Sequence, residues 1–167
     1  HSKWVTGEYW ENHRIPRARR PSSPPGVRGR VERAMAEDMF SALPWRTVRD
    51  AISDLPDPER STSQHTVPNH VLQPGARSYQ GHTGSPLDEP AKTLKAGDHG
   101  VPGGENMVLL PDGRVRYFTV RESARIQTFP DSVLLAGSWT EAMRQLGNAV
   151  PVKLAEAVAK SVASSLT

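Results

Sequence analysis

The chain has 167 residues, no cysteine, 36% hydrophobic residues and a formal net charge of +3. That length suits one domain, or one domain with an appendage, able to bury a core. The lack of cysteine excludes disulfides, cysteine-ligated metals and a cysteine nucleophile of the chain's own.

No apolar run approaches the ~18 residues of a membrane span, and the N-terminus lacks a charged-then-apolar signal pattern. A cytoplasmic protein without a membrane partner is the expectation. Thirteen glycines and fifteen prolines point to a loop-rich globular domain rather than a disordered chain.

Residues 1–29 ("RIPRARRPSSPPGVRGR" and what precedes it) read as an extended arm or loop, because Pro24-Pro25 blocks regular structure. Eight Lys/Arg against three Glu in residues 1–33 concentrate positive charge there. That pattern suits phosphate, and it suits a solvated tail equally. "VERAMAEDMF" places Val31, Met35 and Met39 at helical spacing, which predicts a helix over 31–41.

In "TVRDAISDLP", Thr47 with Asp50 resembles a capping box for a helix over 47–55, with Val48, Ile52 and Leu55 on one face. From Pro56 to Gly104 periodicity is weak and turn residues abound, so ordered loops with short strands are expected. "ENMVLLPDGRVRYFTV" carries two apolar runs around Pro111-Asp112-Gly113, a hairpin signal.

Thr119 with Glu122, and Ser138 with Glu141, are capping boxes for helices over 120–128 and 139–146. Gly147 reads as the C-terminal stop of the latter, Asn148 as the cap of the next helix, and Pro151 as part of its first turn. That last helix, 151–166, carries the stripe Val150, Leu154, Val158, Val162. Together the elements make an α+β fold: a small, loop-rich, strand-containing region with flanking helices.

Three stretches in order resemble the C-terminal part of the DNA (cytosine-5)-methyltransferases. "GRVRYFTVRESARIQTFPDS" is similar to that family's motif IX, through Arg121, Glu122, Ala124, Arg125, Phe129, Pro130 and Asp131. "RQLGNAVPVKLAEAVAKSV" resembles motif X, which carries Gln-x-Gly-Asn-Ala-Val before a terminal helix. "KTLKAGDHGVPGG" resembles the end of the target-recognition region, with Thr93-Leu94 as its Thr-Leu pair. The family's Phe-x-Gly-x-Gly, Pro-Cys, Glu-Asn-Val and Gln-x-Arg-x-Arg motifs are not found.

The resemblance implies transfer of a methyl group from S-adenosyl-L-methionine to C5 of a cytosine swung out of duplex DNA, since stacking covers the reactive ring until the base leaves. The attack on C6 needs a thiolate, which this chain lacks. No catalytic residue is therefore assigned, and the chain is expected to be inactive alone. It reads as a subunit of a split enzyme or a piece of a longer one, its start at His1 without Met favouring the latter. The implied division is a basic arm with a short helix (1–45), a target-recognition domain including motif IX (46–131), and a hinge with the motif X helix (132–167) that returns to a Rossmann-like catalytic domain.

Cofactor-wall residues implied by motif X are Asn148, Ala149 and Val150. For double-stranded DNA the candidates are Arg77, Tyr79, Gln80, His82, Thr93, His99, Arg121 and Arg125. Arg and Gln can read base edges, and Thr93 carries the family inference of a phosphate contact. A plain surface loop is the alternative for residues 72–104. Arg121 and Arg125, at i and i+4, either grip phosphate or form structural ion pairs, the latter favoured.

His65, His70, His82 and His99 lack a metal-ligand pattern, so no metal is expected. The apolar stripe should fold back onto the recognition region or dimerise, because burying four such side chains is worth ~1.5–3 kcal/mol each. Rival readings are a non-catalytic DNA-binding module and an interaction domain without DNA.

Overall fold

The three capping boxes are the most local features of this chain, and they form as the sequence predicts. The structure, a computed structural model, describes residues 2–36, 45–60, 67–81, 83–96 and 106–166. Helix α3 (Val48–Ile52) begins at Thr47, whose hydroxyl accepts from Asp50 N while the Asp50 carboxylate accepts from Thr47 N at 2.7 Å. Helix α4 (Val120–Ile126) repeats this through Thr119 and Glu122, and α5 (Trp139–Asn148) through Ser138 and Glu141. Each box satisfies N–H groups that a helix start would otherwise orphan.

The hairpin also forms. β2 (Met107–Leu109) pairs antiparallel with β3 (Val115–Tyr117), placing Val108 opposite Arg116. Gly113 turns the chain at φ +86°, a conformation glycine adopts without steric penalty. On its other edge β2 pairs in parallel with β1 (Ser85–Pro86).

Val48, Ile52, Leu94, Val108, Phe118, Val120, Met143 and Leu146 lock α3, α4, α5 and the sheet around one buried cluster. Mixed helices and a small sheet make the α+β fold expected. Contacts divide the chain into units of residues 1–44 and 45–167, and all these elements belong to the second.

At the motif X turn the structure corrects the sequence reading. Helix α5 does not stop before Gly147 but runs through it to Asn148, with Ala149 as its C-terminal cap. Asn148 is not an N-cap. Helix α6 (Val152–Ser165) starts after Pro151 without a side-chain cap of its own. Its first N–H groups are taken across the fold: Val152 N donates to Gln127 O (3.1 Å) and Lys153 N to Thr128 Oγ1 (2.9 Å). Helix α4 ends two residues earlier than expected, and Thr128 turns with φ +61°.

Nor does α6 fold back. Val150, Leu154, Val158 and Val162 remain 54–61% exposed, so the stripe finds no cover among the described residues.

In the first unit, residues 1–29 are not simply extended. A π-helical turn (Ser2–Thr6), α1 (Glu8–Asn12), a 3-10 turn (Arg17–Arg19) and α2 (Val27–Ala36) are present. The cause is aromatic. Trp4, Tyr9 and Trp10 meet edge to face, Trp10 Nε1 donates to Lys3 O at 2.8 Å, and the Lys3 ammonium lies 4.7 Å from the Trp4 ring. Such contacts outweigh the local preference of a Pro/Gly-rich stretch. Helix α2 starts four residues before the predicted one and buries none of its residues; the end predicted near residue 41 lies outside the described residues.

Candidate nucleic-acid interface and cofactor wall

The loop with base-reading candidates hangs from a buried knot. Asn69, at φ +64°, receives Leu135 N on its Oδ1 (3.0 Å) and donates Nδ2 to Leu135 O (2.8 Å). Its own carbonyl accepts from Arg121 N. His70 is 4% exposed and places Nδ1 2.8 Å from Thr119 Oγ1 and Nε2 2.8 Å from Pro56 O. The carbonyl can only accept, so Nε2 donates to it, and Nδ1 and the Thr119 hydroxyl share the second hydrogen bond.

Beyond this knot Arg77, Tyr79 and Gln80 are exposed. The loop's far end is held where Gly84, at φ +77°, lies against the backbone of β2: a Cβ there would sit 3.1 Å from Leu109 N. His82 and His99 lie outside the described residues, as do His65 and the glycines at 97, 100, 103 and 104.

Beside this loop lies a cleft of about 410 Å³, lined by residues of 46–51, 90–94, 125–128 and 147–151. Exposed Thr93 faces it with Arg46 and Lys92, and Val48, Ala51, Leu94 and Ile126 supply an apolar floor.

Arg121 and Arg125 form the structural pairs favoured from the sequence over a phosphate grip. Arg121 is 1% exposed. It donates Nε to Pro68 O and Nη2 to Val133 O, each at 3.0 Å, with Nη1 3.5 Å from Asp131. It thereby ties the knot to the segment after α4. Arg125 holds Asp131 with two hydrogen bonds (2.8 and 2.6 Å) and Asp54 with a third (2.6 Å), so two carboxylates answer one guanidinium.

The Arg125 hydrogen bond, with Arg125 and Arg121 charge behind it, holds the Asp131 carboxyl below its ordinary range. A depressed folded-state value contributes stability above the unfolded carboxyl's pKa, about 4, and loses it as pH falls through the folded value. In urea titrations, Asp131→Asn is expected to lower stability by under about 1 kcal/mol at pH 7, because Asp131 is half exposed and screened. That difference should close below pH 4. A difference that persists unchanged at pH 3 would contradict the pairing.

At the motif X turn half-buried Ala149 lines the cleft in extended conformation (φ −78°, ψ 145°), and its neighbours Asn148 and Val150 are exposed. One carboxamide and one valine side chain are thus presented to solvent on either side of the half-buried alanine. Among the described residues, no group of three or more His, Asp or Glu is placed to hold a metal, and no helix is long and apolar enough to cross a membrane.

The family described as C-5 cytosine-specific DNA methylase matches residues 18–164, which takes in the knot, the cleft and the motif X turn. The chain belongs to this family. Similar methylases include Type II methyltransferase M.MthTI of Methanothermobacter thermautotrophicus, 34% identical over 72% of this chain and 44% of that protein. Type II methyltransferase M.HindV of Haemophilus influenzae is 32% identical over 70% of this chain and 40% of its own length. Type II methyltransferase M.AplI of Arthrospira platensis reaches 49% identity over 48% of this chain and 24% of its own.

The chain therefore spans less than half the length of these methylases. Asn69, Arg46 and Lys92 carry no role in the sequence reading, and His70 is weighed there only as a metal ligand. A positive φ and a cross-chain hydrogen bond leave no local pattern, and a lone cation before a capping box reads as surface.

Proposed function

We propose that this chain is the C-terminal DNA-recognition portion of a DNA (cytosine-5)-methyltransferase. Residues beyond this sequence, in the same polypeptide or a partner subunit, supply the thiolate that attacks a flipped-out cytosine. Arg77, Tyr79, Gln80, His82, Thr93 and His99 are the proposed contacts to double-stranded DNA. Asn148, Ala149 and Val150 wall the site of S-adenosyl-L-methionine, which supplies the methyl group when bound.

The observation that carries this reading is α6. An aliphatic stripe stays in water while the rest of the unit closes its core, which is what a helix built to lie on a catalytic domain looks like without it. A homodimer through the same stripe is the other cover for it.

Mixing this chain with a polypeptide carrying the family's catalytic half tests the reading, with methyl transfer from S-adenosyl-L-methionine to duplex DNA as readout. Restored transfer supports it, whereas tight DNA binding without rescue marks a non-catalytic DNA-binding module. Absent or salt-insensitive DNA binding would leave an interaction domain. Val158→Glu sharpens the experiment. Because Val158 is solvated within the chain, unfolding should shift by no more than about 0.5 kcal/mol, while rescue is lost. Rescue that survives Val158→Glu would remove α6 from the interface.

A further inference from the structure

We propose that Arg46 and Lys92 seat one backbone phosphate of duplex DNA in the cleft beside Thr93. This assignment rests on the DNA-recognition reading above and extends it to two residues outside both motifs.

The argument is one of charge against shape. The cleft lining includes three cations, Arg46, Lys92 and Arg125, and no carboxylate. Arg125 is neutralised by Asp54 and Asp131. Arg46 has no carboxylate partner among the described residues, and the Lys92 ammonium, 3.3 Å from the Thr83 hydroxyl, has a neutral neighbour. Within this lining Arg46 and Lys92 thus stand over an apolar floor with no carboxylate among the cleft residues.

A neighbouring hollow of about 480 Å³ shares Arg46 and Arg125 but adds Asp50, Asp54 and Asp131 against Lys153. Its charges nearly cancel, so it offers an anion little. An anion is drawn to the first hollow and not to the second. The apolar floor, meanwhile, suits the sugar face of a nucleotide, and a cation, unlike a base-reading amide, grips phosphate without regard to sequence.

The experiment is fluorescence anisotropy of the full chain with a generic double-stranded oligonucleotide across a sodium chloride series. Each phosphate contact contributes about one unit to the slope of log affinity against log salt. Removing both cations, Arg46→Ala with Lys92→Ala, should lower that slope by about one, the share of one phosphate. Each single variant should lose part of it and weaken binding severalfold, to the same degree on unrelated sequences. Arg46→Lys, which keeps the charge, should restore most of the slope. Lys160→Ala removes an equal charge from α6, where Lys160 pairs with Glu156, and should leave binding unchanged.

Binding by the wild type with unaltered slope and affinity in both alanine variants would overturn the seat alone. Absence of DNA binding by the wild type would overturn the recognition reading with it. If instead the variants bind DNA normally but lose capture of the catalytic-half polypeptide, the cations serve a protein carboxylate and the seat is refuted.

Discussion

Glu122→Ala is expected to destabilise the fold by ~3–5 kcal/mol, the range for leaving one partner of a buried ion pair uncompensated. Both arms of the Glu122 carboxylate meet Arg116 at 2.7 Å, and Oε2 also accepts the Thr119 N–H that starts α4. The two side chains are 2% and 9% exposed. Removing the carboxylate therefore strands a guanidinium beneath β3 and undoes a capping box, the cap alone being worth ~1 kcal/mol.

Glu122→Gln keeps an acceptor for Thr119 but not the charge, and should fall between wild type and Glu122→Ala. Arg116→Met combined with Glu122→Gln should recover a large part of the loss, since a buried pair as a whole stabilises little more than apolar packing. Urea unfolding of the wild type, Glu122→Gln, Arg116→Met and the double variant gives the coupling. A double variant as unstable as Glu122→Ala would show that Arg116 is not the reason for the loss.

The second large effect opposes helix propensity. Gly147 lies inside α5, where alanine would ordinarily gain ~0.5–1 kcal/mol. Gly147→Ala should instead destabilise by ~1–3 kcal/mol, the scale of overpacking. A Cβ at this position would stand 2.7 Å from Ala96 N, 2.8 Å from Lys95 C and 2.9 Å from Ala96 Cα. These are backbone atoms, which cannot swing aside as a side-chain tip can.

Relief would require α5 to part from the segment after Thr93-Leu94, so Gly147→Ala should also disturb the cleft. The check is the urea midpoint together with the salt slope of DNA binding. A variant more stable than wild type would mean that this approach is looser than the geometry states.

The same residue shows where sequence reasoning reached and where it failed. Gly147 was correctly singled out, yet for the wrong reason: it reads as a helix stop from its neighbours in the chain, and acts as a contact point for residues fifty positions away. Arg121 and Arg125 likewise carry the family motif in their spacing. Whether such a guanidinium meets phosphate or carbonyl depends on where Pro68, Val133 and Asp54 fall, and no local pattern encodes that.

The N-terminal stretch misled in the opposite direction, because prolines are visible locally while the meeting of Trp4, Tyr9 and Trp10 is not.

What this sequence determined by itself is what lies within one turn of chain: the capping boxes at Thr47, Thr119 and Ser138, the turn at Gly113, the ordered motifs that carry family membership, and the absence of a thiol. The caps and the turn follow from hydrogen bonds or torsions between residues at most a few positions apart, and the motifs and the missing thiol are read from residue identity alone. The tertiary structure alone decided which charges are paired, that Asn69 and His70 moor the segment that follows them, and that α6 is left in water. Those outcomes depend on through-space distances of about 3 Å between remote segments, and only the folded chain sets them.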